Sequence, residues 1–133
     1  MVGIGPDATG LFHPKAIEAL QYAGAWLRTN GEAIFNTHPL PGTGWKEGDN
    51  LRFTHSDLGS IVYAIVLQWP GKELALHSVK LPPGATVTML GDSEVLSWHP
   101  DAADDTVISL PARWQSAANR PSQLPCVLKL AFQ

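Results

Sequence analysis

The chain has a single cysteine, Cys126, so no disulfide can form within it. Its setting, Pro125-Cys126-Val127-Leu128, reads as a strand position holding a buried, inert thiol. Charge is also scarce. Charged residues make up 16% of the sequence and the net charge is -3, with no cluster of Lys or Arg, which argues against nucleic acid or anionic lipid as a partner. No apolar stretch reaches the roughly 18 residues that a membrane span requires, and the N-terminus lacks a basic segment followed by an apolar core. The sequence is therefore expected to enter neither a membrane nor a secretory route, and it names no compartment. It also contains no Asn-x-Ser/Thr acceptor.

What the sequence does contain is enough apolar residue, 44% of 133 positions, to bury one core, and the length fits one ordinary domain. Its longest apolar run is Ile61 to Leu67, opened by Gly59-Ser60 and closed by Pro70-Gly71. Seven residues rich in β-branched and aromatic types are too few for a good helix and suit a strand covered on both faces. Alternation sends Ile61, Tyr63, Ile65 and Leu67 to one face and Val62, Ala64 and Val66 to the other.

Ahead of that strand, glycines 3, 5 and 10 with Pro6 and Asp7 describe a loop. Pro14 then occupies a first-turn position, and Ala16, Ile17, Leu20, Ala23, Gly24 and Leu27 recur at helical spacing through Thr29. Arg28 in the last turn and a left-handed cap at Asn30-Gly31 are expected to end this helix. After Gly31 no helical period returns. Short apolar segments punctuated by Gly, Pro, Asn and Asp predict strands at 33–35, 51–54, 61–67, 73–76, 86–90, 95–98, 106–110 and 127–132. The expected fold is mainly β, an antiparallel β-sandwich of about eight strands preceded by one N-terminal amphipathic helix. Residues 1–30 form the lead-in loop and helix, and residues 31–133 the sandwich. Two long loops are expected, 36–50 with Trp45 and 111–125 with Trp114.

Chemistry is thinly marked. The five histidines, at 13, 38, 55, 77 and 99, have no second ligand at metal spacing, so no metal or cofactor site is predicted. Asp101, Asp104 and Asp105 beside His99 precede a strand and read as a solvated turn rather than a calcium or acid/base site. No serine has a nucleophile-elbow setting. Five tryptophans are the stronger lead, because aromatic faces stack on the apolar faces of sugars. Trp26, Trp69 and Trp98 lie in regular elements and suit core packing, whereas Trp45 and Trp114, in loops, are the carbohydrate-binding candidates.

One family pattern runs through these segments. Trp26-Leu27, Asn30-Gly31-Glu32-Ala33-Ile34-Phe35, Val62-Tyr63-Ala64-Ile65 with Trp69-Pro70, Met89-Leu90-Gly91, Leu96-Ser97-Trp98 and Val127-Leu128-Lys129-Leu130 together resemble the C-terminal portion of the α-L-fucosidases of glycoside hydrolase family 29. The order and spacing match over essentially the whole chain. In that family a (β/α)8-like catalytic barrel comes first and an antiparallel β-sandwich follows. Gly5-Pro6 resembles the Gly-Pro after the last barrel strand, so Pro14 to Thr29 corresponds to the last barrel helix. Two positions depart from the pattern: Gly3 stands where Asn is usual, and Leu40 stands where an aromatic commonly follows the proline at 39.

The resemblance implies a non-catalytic accessory domain with a structural or subunit-contact role. The family's aspartate nucleophile, acid/base and fucose-binding histidines belong to barrel segments upstream of Met1, so no catalytic residue carries over. With no barrel beside it, the stripe of Ile17, Leu20, Ala23, Gly24 and Leu27 needs a cover. Self-association into a homodimer is the expectation, with docking on a separate catalytic chain or on the chain's own sandwich as the alternatives. A glycan at Trp45 and Trp114 is the remaining candidate partner.

Overall fold

A computed structural model describes residues 3–132. After the lead-in comes helix α1 (Pro14–Asn30), then a 3₁₀ turn (Gly31–Ala33), then strands β1 (Thr37–Pro39), β2 (Lys46–Glu47), β3 (Leu51–Ser56), β4 (Ile61–Val66), β5 (Glu73–Leu76), β6 (Thr86–Met89), β7 (Trp98–Pro100), β8 (Thr106–Ser109) and β9 (Cys126–Ala131). Pro14 starts α1 as expected, and His13 caps it, its Nδ1 accepting from the Lys15 N–H at 3.2 Å.

The strands form two antiparallel sheets. The larger has the order β1-β3-β4-β9-β6 with β2 also on β3, and the smaller the order β5-β8-β7. At the centre of the larger sheet β4 pairs with β9 over six residues, from Ile61 opposite Ala131 to Val66 opposite Cys126. The two faces of β4 separate as alternation requires. Val62, Ala64 and Val66 join Phe53, Met89, Leu128 and Leu130 against Leu74, Leu76 and Ile108 of the smaller sheet, which makes the sandwich core. Tyr63 and Ile65 instead join Ala33, Leu90 and Val127 in a second cluster on the outer face, with Trp26, Ile61 and Leu67 packed partly over it. The Cys126 thiol is buried, and desolvation pushes its pKa up to about 11, which keeps it protonated and unreactive.

Several local expectations are corrected. Residues 33–35 are not a strand. Gly31 is right-handed, at φ -60°, and the Ile34 and Phe35 N–H groups both donate to its carbonyl, so the helix tightens into a 3₁₀ turn instead of ending in a left-handed cap. A Cβ at 31 would lie 3.1 Å from the exposed Phe35 ring, which would have to shift by a few tenths of an ångström to admit it. The left-handed residue is Asn36, at φ 56°, and pairing begins after it. The span 36–50 thus holds the edge strands β1 and β2, while 111–125 holds two 3₁₀ turns. Val95 makes only an isolated bridge to Thr88, and regular pairing starts at Trp98 opposite Ile108. Leu67 is half-buried, while Tyr63 and Ile65 are buried.

Because β4 is packed on both faces, truncating its outer-face side chain should be felt globally. Ile65→Ala is expected to cost on the order of 2–5 kcal/mol, seen as a lower denaturation midpoint at unchanged slope. A loss below about half a kcal/mol would mean the outer cluster adds nothing to the fold.

Candidate functional site

The C-terminal end of α1 and the 3₁₀ turn after it pack on the outer face of the larger sheet through Trp26 and Ala33. Three residues spaced four apart, and so on one side of α1, fasten its C-terminal half. The Tyr22 hydroxyl donates to the Leu124 carbonyl at 2.7 Å. The Trp26 indole donates to the Pro125 carbonyl at 2.5 Å. Buried Asn30 donates through Nδ2 to the Trp26 carbonyl and, at 2.9 Å, to Ser122 Oγ. The predicted stripe lies on the opposite side: Ile17 and Leu20 are 43% and 48% exposed. Ala23 is exposed as well, whereas Gly24 and Leu27 are half-buried.

The turn after the helix is tied down by polar groups. Glu32 Oε1 accepts from the Tyr63 hydroxyl at 3.1 Å and pairs with Lys129 Nζ at 2.8 Å. Tyr63 and Lys129 are themselves register partners on β4 and β9. One residue on, the Ala33 carbonyl accepts from Thr54 Oγ1 at 2.7 Å and Thr37 Oγ1 at 3.0 Å. Burial, then the hydrogen bond and negative charge of Glu32, push the Tyr63 hydroxyl up to about 12. This polar set was not singled out in the sequence, although a tyrosine within an aliphatic strand and a lysine within the apolar run of β9 were its visible signals.

The tryptophans divide differently from expectation. Trp114 is buried, on a 3₁₀ turn against the sandwich core, and offers no ring face to solvent. Trp45 is 40% exposed, with Lys46 Nζ 5.2 Å and the Arg52 guanidinium 5.8 Å from its ring centroid. Trp26, Trp69 and Trp98 are partly buried against the two clusters.

The aspartates near His99 are engaged in turn and pairing work. Asp101 accepts from the Ala103 and Asp105 N–H groups, Asp104 pairs with Lys80, and Asp105 meets His77 Nδ1 at 2.5 Å. Among the described residues, no group of three or more His, Cys, Asp or Glu side chains is placed to hold a metal ion. No described helix is long and apolar enough to cross a membrane.

The family model for the alpha-L-fucosidase C-terminal domain matches residues 47–131, from β2 through β9. The chain belongs to that family. A fucosidase C-terminal domain accounts for the double sheet, and similarity continues beyond the matched region into the helix. The chain is 35% identical to the human tissue alpha-L-fucosidase over 134 aligned positions, covering 98% of this chain and 27% of the relative. It is 33% identical to an alpha-L-fucosidase of Branchiostoma floridae, covering 95% of this chain and 26% of the relative. The chain thus spans about a quarter of these relatives' length. Among solved structures, the Thermotoga maritima alpha-fucosidase in complex with a mechanism-based inhibitor superposes with a TM-score of 0.76 at 23% identity, over 98% of this chain and 30% of that one. The Bacteroides thetaiotaomicron GH29 alpha-L-fucosidase gives 0.73 at 24% identity, over 97% and 27%.

Since Tyr63 holds its proton to about pH 12 when folded, and a tyrosine in an unfolded chain ionises near about pH 10, its contribution to stability is full below the lower value and lost as pH rises through the higher one. Glu32→Gln removes the neighbouring charge, so the Tyr63 ionisation followed by ultraviolet difference absorbance should move down. An unchanged titration would show that Glu32 does not act on the tyrosine.

Proposed function

We propose that this chain is the non-catalytic accessory part of an α-L-fucosidase, supplying structure and a docking face to a catalytic barrel. The observation that carries the reading is the two-sided helix: its anchors to the sandwich lie on one side, and the apolar Ile17–Leu20–Ala23 stripe is left open on the other. In the family the chain resembles, the last barrel helix buries such a stripe against the barrel, and residues 1–30 correspond to that end of it. The relatives' remaining three quarters supply a natural cover. Joined to such a barrel, the domain would form part of an active glycoside hydrolase.

A second reading, a carbohydrate-binding module, keeps only Trp45 of its two candidate residues. That indole is partly exposed, and the Lys46 and Arg52 cations near its ring compete with a glycan for it.

The chain on its own is expected to give no turnover of an aryl α-L-fucoside. Activity that survives repurification and vanishes when a carboxylate of this chain is replaced would overturn the accessory role. In isolation the stripe should pair with a second copy, because a self-complementary patch readily forms a two-fold dimer. Sedimentation is expected to report a dimer for the unaltered chain and a monomer for Leu20→Glu, with the far-ultraviolet spectrum of the sandwich retained. A chain that stays monomeric at high micromolar concentration contradicts that pairing.

A further inference from the structure

On the side of α1 away from the apolar stripe, a cleft of about 290 Å³ opens between the helix and the segment Pro121–Gln123. Its helix wall is Tyr22, Ala25, Trp26 and Thr29, and its other wall carries Ser122 and Gln123. At about 100° per residue, Leu20 and Tyr22 point to nearly opposite sides of the helix, so covering the stripe leaves the cleft open. We propose that this cleft is a binding site for one neutral pyranose ring, separate from the docking face and independent of what covers that face.

The chemistry of the walls selects the ligand. Tyr22 and Trp26 have their polar tips tied to the carbonyls of Leu124 and Pro125, which fixes both rings and leaves aromatic carbon in the lining. Sugars place an apolar C–H face on such surface and turn hydroxyls toward polar neighbours. Those neighbours are present in the Thr29 hydroxyl and the Gln123 amide, which between them both donate and accept, while the buried Ser122 hydroxyl already accepts from Asn30 and donates to the Gln123 carbonyl. No carboxylate, lysine, arginine or histidine lines the cleft, so nothing there favours a charged ligand. Its volume lies at the small end of ligand sites, which run from about 300 Å³ upward, and suits one ring rather than a chain of them.

Two further features support a prepared site. Asn30 Oδ1 is buried without a hydrogen-bond partner directly behind Ser122, whose Oγ accepts from the same amide. Asn30 does not itself line the cleft, and its amide fixes the position of Ser122 in the wall. The walls are also braced from beneath. Gly91, at φ +97°, approaches so closely that an added Cβ would lie 2.8 Å from the Pro121 carbonyl oxygen and 3.0 Å from Thr29 Cγ2. A braced cleft loses little freedom on binding.

The test is a titration of the full chain with methyl α-L-fucopyranoside and methyl β-D-galactopyranoside, read by backbone amide shifts. A ligand of about a dozen non-hydrogen atoms at ordinary efficiency binds in the millimolar range. Saturable shifts confined to residues 22–29 and 121–125 are expected with at least one probe. Ala25→Trp, which fills the cleft from an exposed helix position, should abolish them, and Gln123→Ala should raise the midpoint several-fold. Leu20→Glu, altered only on the opposite side, should bind as the unaltered chain does. Absence of saturation with both probes, shifts centred on Trp45, or shifts undiminished by Ala25→Trp overturn the assignment.

Discussion

The constraint on which the structure depends is that its central strand is apolar on both sides. An antiparallel sheet commonly buries one face and wets the other, and the alternation of its strands reflects that. In β4 the inner residues Val62, Ala64 and Val66 meet the smaller sheet, yet Tyr63 and Ile65 on the other side are buried as well. Something must lie on that second face, and the C-terminal end of α1 with its 3₁₀ turn does so through Trp26 and Ala33. The helix is therefore part of the sandwich's own solvation problem and not an appendage to it.

The same constraint explains the polar residues at the junction. A turn laid across a sheet brings backbone carbonyls and charged side chains close to apolar surface, where unpaired polar groups are costly. The Ala33 carbonyl is met by two threonine hydroxyls, and Glu32 by a tyrosine hydroxyl and an ammonium group. The bonds locate the turn as well as satisfying it, since the Tyr63–Lys129 pair is set by the register of β4 against β9. Sequence neighbours in the run Asn30 to Ala33 thus reach three different places: the Ser122 segment, the Phe35 ring and the sheet.

The parts of the fold that could be read from sequence were those governed by periodicity. The helix, the two-faced β4 and the strands at 73–76, 86–89 and 106–109 follow from spacing alone. Ile34 and Phe35 have β-favouring side chains, but the turn bonds to the Gly31 carbonyl and the threonine bonds to Ala33 outweigh propensity. The edge strands β1 and β2 are too short to leave a period. Trp114 shows why loop position is a poor guide to exposure: the segment carrying it folds back as a 3₁₀ turn and drives the indole into the core. The cleft is built from residues about one hundred positions apart, among them Tyr22 and Gln123, and no local pattern announces it.

Two strands at sheet edges, β1 and β7, are each three residues long and each end in proline, at Pro39 and Pro100. A proline has no N–H to offer an incoming strand, and so short a border gives another chain little to copy. A sandwich rich in β-branched residues carries an inherent tendency to polymerise edge to edge. Each sheet thus has one of its two borders blunted, which discourages strand addition on that side.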